Sequence, residues 1–291
     1  MYIQNHYSLL HEVALNAQQL PDLQALIIQQ HGTRIRRIDR YIQLCIAGGL
    51  GCAKTPLAAN TGLYLATRCG AVATSANVME TIAAQNELPK PLHFVNTLGN
   101  SAGFYLTQLL GLTGTALVVS KERQAFEAAL THGLLDLQNN VSQSVLIGGF
   151  DEVTRPLTQQ LQRLDAPANA PALFEGSHWL LLSQQAQGSR QSVGMPRYHG
   201  HLREALQQHT QTPSEPIQLD FLPDQAEREQ LQDRAFSVFR GEDLAQGTIP
   251  HGVFSAASLM ELIQQQQTGL HISRAANGYY CCVKVNGPSR R

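Results

Sequence analysis

Residues 94–151, FVNTLGNSAGFYLTQLLGLTGTALVVSKERQAFEAALTHGLLDLQNNVSQSVLIGGFD, constrain the fold more than any other part of the chain. An apolar helical pattern over 102–110 leads through Gly111 and Gly114 into a short β run at 115–119. Ser120 then stands where a helix N-cap is expected, with Glu122 in the first turn. The helix that follows carries Phe126, Ala129, Leu130, Leu134 and Leu137 at three- and four-residue spacing. A second buried-strand pattern, 144–147, ends in Gly148-Gly149. Strand, helix and strand make one parallel βαβ unit whose connecting helix is unusually apolar.

The remaining punctuation extends this α/β reading. Residues 1–10 suggest a first strand, and 12–30 an amphipathic helix broken near Pro21. The basic run 34–40 leads into a helix through Ala47, and 61–67 reads as a buried parallel strand. A short helix is expected over 77–85, and Asn96, Asn100 and Ser101 are placed to cap the next one. After Asp151 comes a polar stretch with one helical segment, then a strand over 175–183. Strands at 194–198 and 216–222, helices at 201–209 and 226–239, and a last helix up to Gln267 follow. Two strands, 270–274 and 279–285, close the chain around an Asn277-Gly278 turn. The second part therefore repeats the first in outline, in trimmed form.

With 291 residues, 43% of them hydrophobic, the chain buries one large core or two fused half-domains. A net charge of -1 points to neither nucleic acid nor an anionic membrane surface. The five cysteines lack CxxC zinc spacing and disulfide-scaffold density, so no metal or cofactor is expected, and the adjacent Cys281 and Cys282, on opposite faces of a strand pattern, read as buried thiols. No signal-peptide pattern opens the sequence and no run approaches 18 apolar residues, so a cytoplasmic protein without membrane insertion is expected. Gly48, Gly49, Gly51, Lys54 and Thr55 do not make a phosphate loop. A helix precedes them, and Ala53 stands where the second glycine belongs.

The stretch 94–151 resembles the nucleophile region of a β-ketoacyl synthase of the thiolase superfamily. In that family a glycine-led strand ends in a Thr-Ala-Cys turn, a buried helix starts at the cysteine, and a Gly-Gly follows. An ungapped count puts the cysteine's position on Arg123, between Glu122 and Gln124, and no cysteine lies between Cys69 and Cys281. Buried there, Arg123 would need a carboxylate such as Glu122 or Asp151. The Gly-His-x-x-Gly-Ala-Ala-Gly turn of the family is similar to residues 251–258 here, HGVFSAAS. Ungapped, Gly252 falls on the histidine, and a one-residue bulge would restore His251. The loop that carries the family's other histidine is cut away after PIQLDFL, where Pro223-Asp224-Gln225 follows directly. The Arg-Arg-x-Asp-Arg cluster at 36–40 is similar to the segment preceding the family's first long helix. It reads as a solvated helix start or as a docking patch for an acidic carrier protein.

The resemblance implies a thiolase-like fold with duplicated βαβαβαββ halves in a five-layer αβαβα sandwich, the second half shortened. Residues 1–185 would form the first half and 186–291 the second, together one compact domain. It also implies a non-catalytic, chain length factor-like subunit that is not expected to condense acyl groups alone. Such subunits lack the cysteine, often with glutamine in its place. The partners would be an active ketosynthase and an acyl carrier protein, in type II polyketide, polyene or specialised fatty-acid synthesis. Thr115, Ala116, Leu117, Val118 and Val119 would form the dimer interface. Asn96, Asn100, Phe104 and Phe126 would line the acyl pocket. Two alternatives stay open: an acyltransferase or hydrolase with another nucleophile, and a homodimeric binding or scaffold protein.

Overall fold

The computed structural model describes every residue except 15, 18, 33, 164–168, 187–190, 211 and 289–291. Its first strand, β1 (Tyr2–Ala14), takes over the start of the expected helix, and α1 (Leu23–His31) begins only after Asp22. The Asp22 carboxylate accepts the Ala25 N–H, an N-cap that fixes this later start. Next come α2 (Arg40–Cys52), β2 (Gly62–Thr67), α3 (Val72–Ala83), α4 (Pro91–Asn96) and α5 (Ser101–Leu110). The βαβ unit is present as β3 (Ala116–Ser120), α6 (Ala125–Gln138) and β4 (Ser144–Asp151), followed by α7 (Leu157–Arg163) and β5 (Ala172–Ser183). The second set comprises β6 (Ser192–Val193), β7 (Arg197–His199), α8 (Leu202–His209), β8 (Ile217–Leu219) and α9 (Gln225–Leu231). It closes with β9 (Phe236–Val238), α10 (Gly241–Ala245), α11 (Phe254–Gln264), β10 (Gly269–Arg274) and β11 (Tyr280–Asn286). The helix expected over 226–239 is thus a short helix and a strand. A reciprocal capping box between Asp224 and Glu227 starts the helix, and it stops at Leu231.

The strands join in one sheet in the order β3-β2-β4-β5-β1-β6-β11-β10-β8-β9, with β7 also on β11. The pairing pattern occurs twice. In the first set β3, β2 and β4 are parallel, then β5 and β1 add antiparallel. In the second, β9, β8 and β10 are parallel, β11 adds antiparallel, and β6 and β7 pair antiparallel with β11. The trimming is visible in β8 and β9, three residues each.

Alternation along the strands sorts side chains into layers. Tyr64, Ala66, Val145, Ile147, Leu180 and Leu182 face a central core shared with Phe126, Leu130, Ala256, Met260 and Val283. Leu63, Leu65, Leu146, Trp179 and Leu181 face the opposite way, onto α1, α2 and α5. A third cluster joins α8 and α9 to the outer face of β8, β10 and β11. The apolar helices α6 and α11 therefore lie in the middle of five layers, which is why α6 carries so little polar surface.

The glycines of α2 have a packing role. A Cβ on Gly48 would lie 2.0 Å from Trp179 Nε1 and 2.1 Å from Ser177 Oγ, so only glycine lets the helix approach β5 this closely. Gly148 has the same function within the sheet, where a Cβ would lie 2.5 Å from the Trp179 ring. Gly148→Ala is expected to cost about 1–3 kcal/mol through overpacking, measured by denaturant unfolding. Among the described residues, no helix is long and apolar enough to cross a membrane.

Candidate functional site

The turn between β3 and α6 differs from its sequence pattern. Ser120 does not cap the helix; it ends the strand, and its hydroxyl donates to the Arg68 carbonyl at 3.3 Å. The helix begins at Ala125, behind Gln124, which holds a left-handed conformation with φ 60° and ψ 25°. Arg123 and Glu122 are both exposed. Arg123 therefore needs no buried carboxylate: Glu122 sits 3.4 Å from Arg68, and Asp151 accepts from the Thr67 hydroxyl and the backbone N–H of Arg68 and Cys69. Gln124 is buried, and its Nε2 donates to the Ser273 carbonyl at 3.3 Å.

The turn before α11 faces this position. Gly252 has no room for a side chain, since a Cβ would lie 2.0 Å from Arg68 Cβ and 2.6 Å from Asp151 Oδ2. His251 projects into the site instead. Its ring lies 5.2 Å from that of His178 with an Nε2–Nε2 separation of 3.3 Å, and His178 Nδ1 is 2.8 Å from Ser8 Oγ. Gln124, Asp220, His251, Ser255 and Arg274 enclose a cavity of about 40 Å³. That is far below the roughly 300 Å³ of an ordinary ligand pocket, but on its exposed side Gln124 also borders a cavity of about 390 Å³ with Lys121, Arg123, Tyr198 and Asn277. A cavity of about 100 Å³ on the other side of His251 is lined by Arg68, Cys69, Asp151 and Glu152.

Burial governs the charge state here. It pushes His251 down to about 3 and His178 well below the ordinary histidine range, so both rings are neutral at neutral pH. It raises Asp151 to about 6 against the hydrogen bonds from Thr67, Arg68 and Cys69. Glu152 rises to about 8 for the same reason, although the Ala73 N–H donates to one of its oxygens. Asp220 also rises to about 8, through burial and then the neighbouring Glu127. Glu175 is the exception: burial would raise it, but His11 and Arg40 hold it near 2.

A carboxyl whose folded pKa is raised binds more protons in the folded state, so its contribution to stability falls as pH rises between the unfolded and folded values. For Glu152 that window runs from the ordinary glutamate value of 4.5 to about 8. Glu152→Gln is therefore expected to gain in Tm relative to the parent as pH is raised from 5 to 8, read by differential scanning fluorimetry.

The residues expected to line an acyl pocket do not share one cavity. Asn96 is buried, donates to the Arg37 carbonyl at 3.3 Å, and borders a cleft of about 730 Å³ with Arg37, Asp39, Thr74, Lys90 and His93. Asn100 and Phe104 border a separate groove of about 270 Å³ beside Ala116, Leu117 and Val118. Phe126 is fully buried in the central core. Capping is not the role of the polar group here, since Asn100 makes no side-chain cap bond and Ser101 donates to the Val95 carbonyl. The basic run at 34–40 is more than a solvated helix start, because Arg40 turns inward onto Glu175. Sequence reasoning reaches His178 only by residue type and misses Glu175, Asp220 and Arg274 as neighbours of the site. The sequence signal available was a polar residue inside or just after an apolar strand run: Glu175 and His178 in β5, Asp220 directly after β8 and Arg274 at the end of β10.

No family model matches the sequence, and no curated protein matches it. Solved structures do match the fold. A chain of the ishigamide ketosynthase/chain length factor superposes with TM-score 0.71 at 14% identity, over 90% of this chain and 85% of that one. A chain from a type II polyketide synthase acyl carrier protein in complex with its ketosynthase gives 0.70 at 12%, over 98% and 99%. A chain of the ketosynthase–chain length factor complex of Xenorhabdus doucetiae gives 0.51 at 12%, over 98% and 99%. The fold is thus the mixed α/β, thiolase-like fold of ketosynthase and chain length factor chains.

Proposed function

We propose that this chain is a non-catalytic, chain length factor-like subunit that pairs with an active β-ketoacyl synthase and serves an acyl carrier protein. The observation that carries the reading is Gln124. It occupies the left-handed turn at the start of the buried helix, the place where a condensing enzyme of this fold needs its cysteine. On this reading the position falls one residue after the ungapped count on Arg123, at the residue that precedes the helix. A glutamine rather than a thiol at that turn, with only about 40 Å³ between Gln124 and His251, supports a subunit that does not carry the acyl chain itself. The imidazole of His251 faces that space as a remnant.

Support for a partner comes from the edge. β3 ends the sheet, Phe104 is exposed in the groove beside it, and Phe94, Val95 and Leu98 are exposed on the segment leading into α5. An edge strand flanked by apolar side chains invites pairing with another strand. The neighbouring folds named above include a ketosynthase with its chain length factor and a carrier protein complex. Roles in polyketide, polyene or specialised fatty-acid synthesis follow by analogy.

The test is the native mass of this chain alone and with the ketosynthase encoded nearest to it. A one-to-one complex whose condensing activity needs the partner's cysteine, and survives Gln124→Ala, is the expected result. A stable homodimer that ignores the ketosynthase overturns the reading. An independent enzyme is also testable here, because Cys69 lies beside His251 and is exposed. Burial, then Asp151, raises its thiol pKa, which makes it a weak nucleophile.

A further inference from the structure

The shortened second half carries a group of side chains outside the site described above. β7 pairs antiparallel with β11, setting Arg197 opposite Cys282 and His199 opposite Tyr280. Side chains two apart on a strand share a face, so His199 and Cys282 project together beneath α8. On α8, Leu202, Ala205 and Leu206 form the buried stripe, and His209, three residues past Leu206, extends it by one turn. The three side chains converge: one ligand atom from each of His199, His209 and Cys282 lies within 4.8 Å of the others. The two Nε2 atoms are 2.8 Å apart. His199 and Cys282 are buried and His209 is half-buried.

We propose that His199 Nε2, His209 Nε2 and Cys282 Sγ bind one zinc ion, with water as the fourth ligand. Two imidazoles and a thiolate are a donor set that zinc favours over magnesium or calcium. At bond lengths of about 2.0–2.1 Å to nitrogen, a tetrahedral ion needs the two Nε2 atoms about 3.3 Å apart. The rings must therefore separate by about half an ångström. The outer surroundings agree, because His199 Nδ1 lies 3.6 Å from Glu204 Oε1. A carboxylate on the far nitrogen orients a metal-binding histidine and presents Nε2 to the ion. Of the charges around the cluster, Glu204 and the Cys282 thiolate oppose zinc's two positive charges, Lys284 is paired with Glu215, and Arg197, opposite Cys282, adds one positive charge. Zinc binds the thiolate, so the Cys282 thiol proton is released to solvent as the Zn–S bond forms. The bond set would tie β7 and β11 to the end of α8, in the half where three-residue strands supply little pairing of their own.

The experiment uses the full, untagged chain. Metal content after purification without chelator is expected at about one zinc per chain. Titration of the metal-free protein with cobalt is expected to give tetrahedral visible absorption and a thiolate-to-cobalt charge-transfer band. Cys282→Ser removes that band while Cys69→Ser, at an exposed thiol, keeps it. Glu204→Gln weakens zinc binding about 10-fold through its outer-shell contact, and serves as the folded variant should His209→Gln destabilise the chain. Zinc raises the Tm of the parent and not of Cys282→Ser. Absence of stoichiometric metal, or a charge-transfer band that persists in Cys282→Ser, overturns the site and leaves His199 and His209 as a hydrogen-bonded pair. Neither outcome depends on whether the chain pairs with a ketosynthase.

Discussion

Replacing Arg40 with methionine is expected to lower stability by about 3–5 kcal/mol at neutral pH, the cost of breaking a buried ion pair from one side. Glu175 is completely buried in β5, and Arg40, at the start of α2, donates to both of its oxygens, through Nε at 2.9 Å and through Nη2. His11 Nδ1 and the Val153 N–H, each at 3.2 Å, complete its partners, and the third Arg40 nitrogen, Nη1, donates to the Pro21 carbonyl. One guanidinium thus ties α2 to β5 and to the chain entering α1. Methionine fills similar volume but leaves the carboxylate with a histidine and one amide. The pH dependence identifies the cause. In the parent, Glu175 has a folded pKa of about 2 against the ordinary glutamate value of 4.5, so its contribution is present above 4.5 and is lost as pH falls towards 2. In Arg40→Met the carboxyl lacks its cation and burial favours the protonated form. The gap between parent and variant, read by urea unfolding, is therefore wide at pH 7 and narrow at pH 3. Adding Glu175→Gln recovers much of the loss at pH 7. A gap equal at both pH values would assign the damage to packing instead.

The parts of this fold legible in the sequence are those where burial leaves a periodic trace. The run TGLYLAT is apolar throughout because both faces of β2 are covered, and it reads at once as a buried strand. The helix α6 shows its three- and four-residue spacing for the same reason. What failed were starts and caps. Ser120 has the right chemistry for an N-cap, but the strand continues through it and Gln124 turns the chain in a left-handed conformation that no composition signal marks. β1 ran three or four residues past its predicted end because the polar His11 and Glu12 lie in a strand whose register with β5 extends to Ala14. The site shows the same division. His251 was found by its neighbours in sequence, whereas His178, Asp220 and Arg274 come to it from distant strands. The cluster of His199, His209 and Cys282 has no spacing motif, since its residues meet only after β7, α8 and β11 assemble.

Val118→Pro is expected to weaken the complex with a ketosynthase by roughly 10- to 100-fold while leaving this chain folded. The direction of the backbone groups of β3 decides this. Leu63 N–H donates to the Thr115 carbonyl and Lys121 N–H donates to the Thr67 carbonyl. Groups on alternate residues of a strand point to opposite sides, so residues 115, 117, 119 and 121 address β2 while Ala116, Val118 and Ser120 present their N–H and C=O to the open edge. Proline at 118 removes an outward donor and puts its ring where a partner strand would lie, but breaks no bond to β2. Proline at 117 does the reverse: it removes an N–H that the β2 ladder uses, and lowers stability of the isolated chain. Comparing the two variants by thermal unfolding and by titration with the partner separates pairing from folding. If Val118→Pro binds the ketosynthase as the parent does, the two chains do not join through β3. The exposed Phe94, Val95, Leu98 and Phe104 would then have to hold the partner by side chains alone.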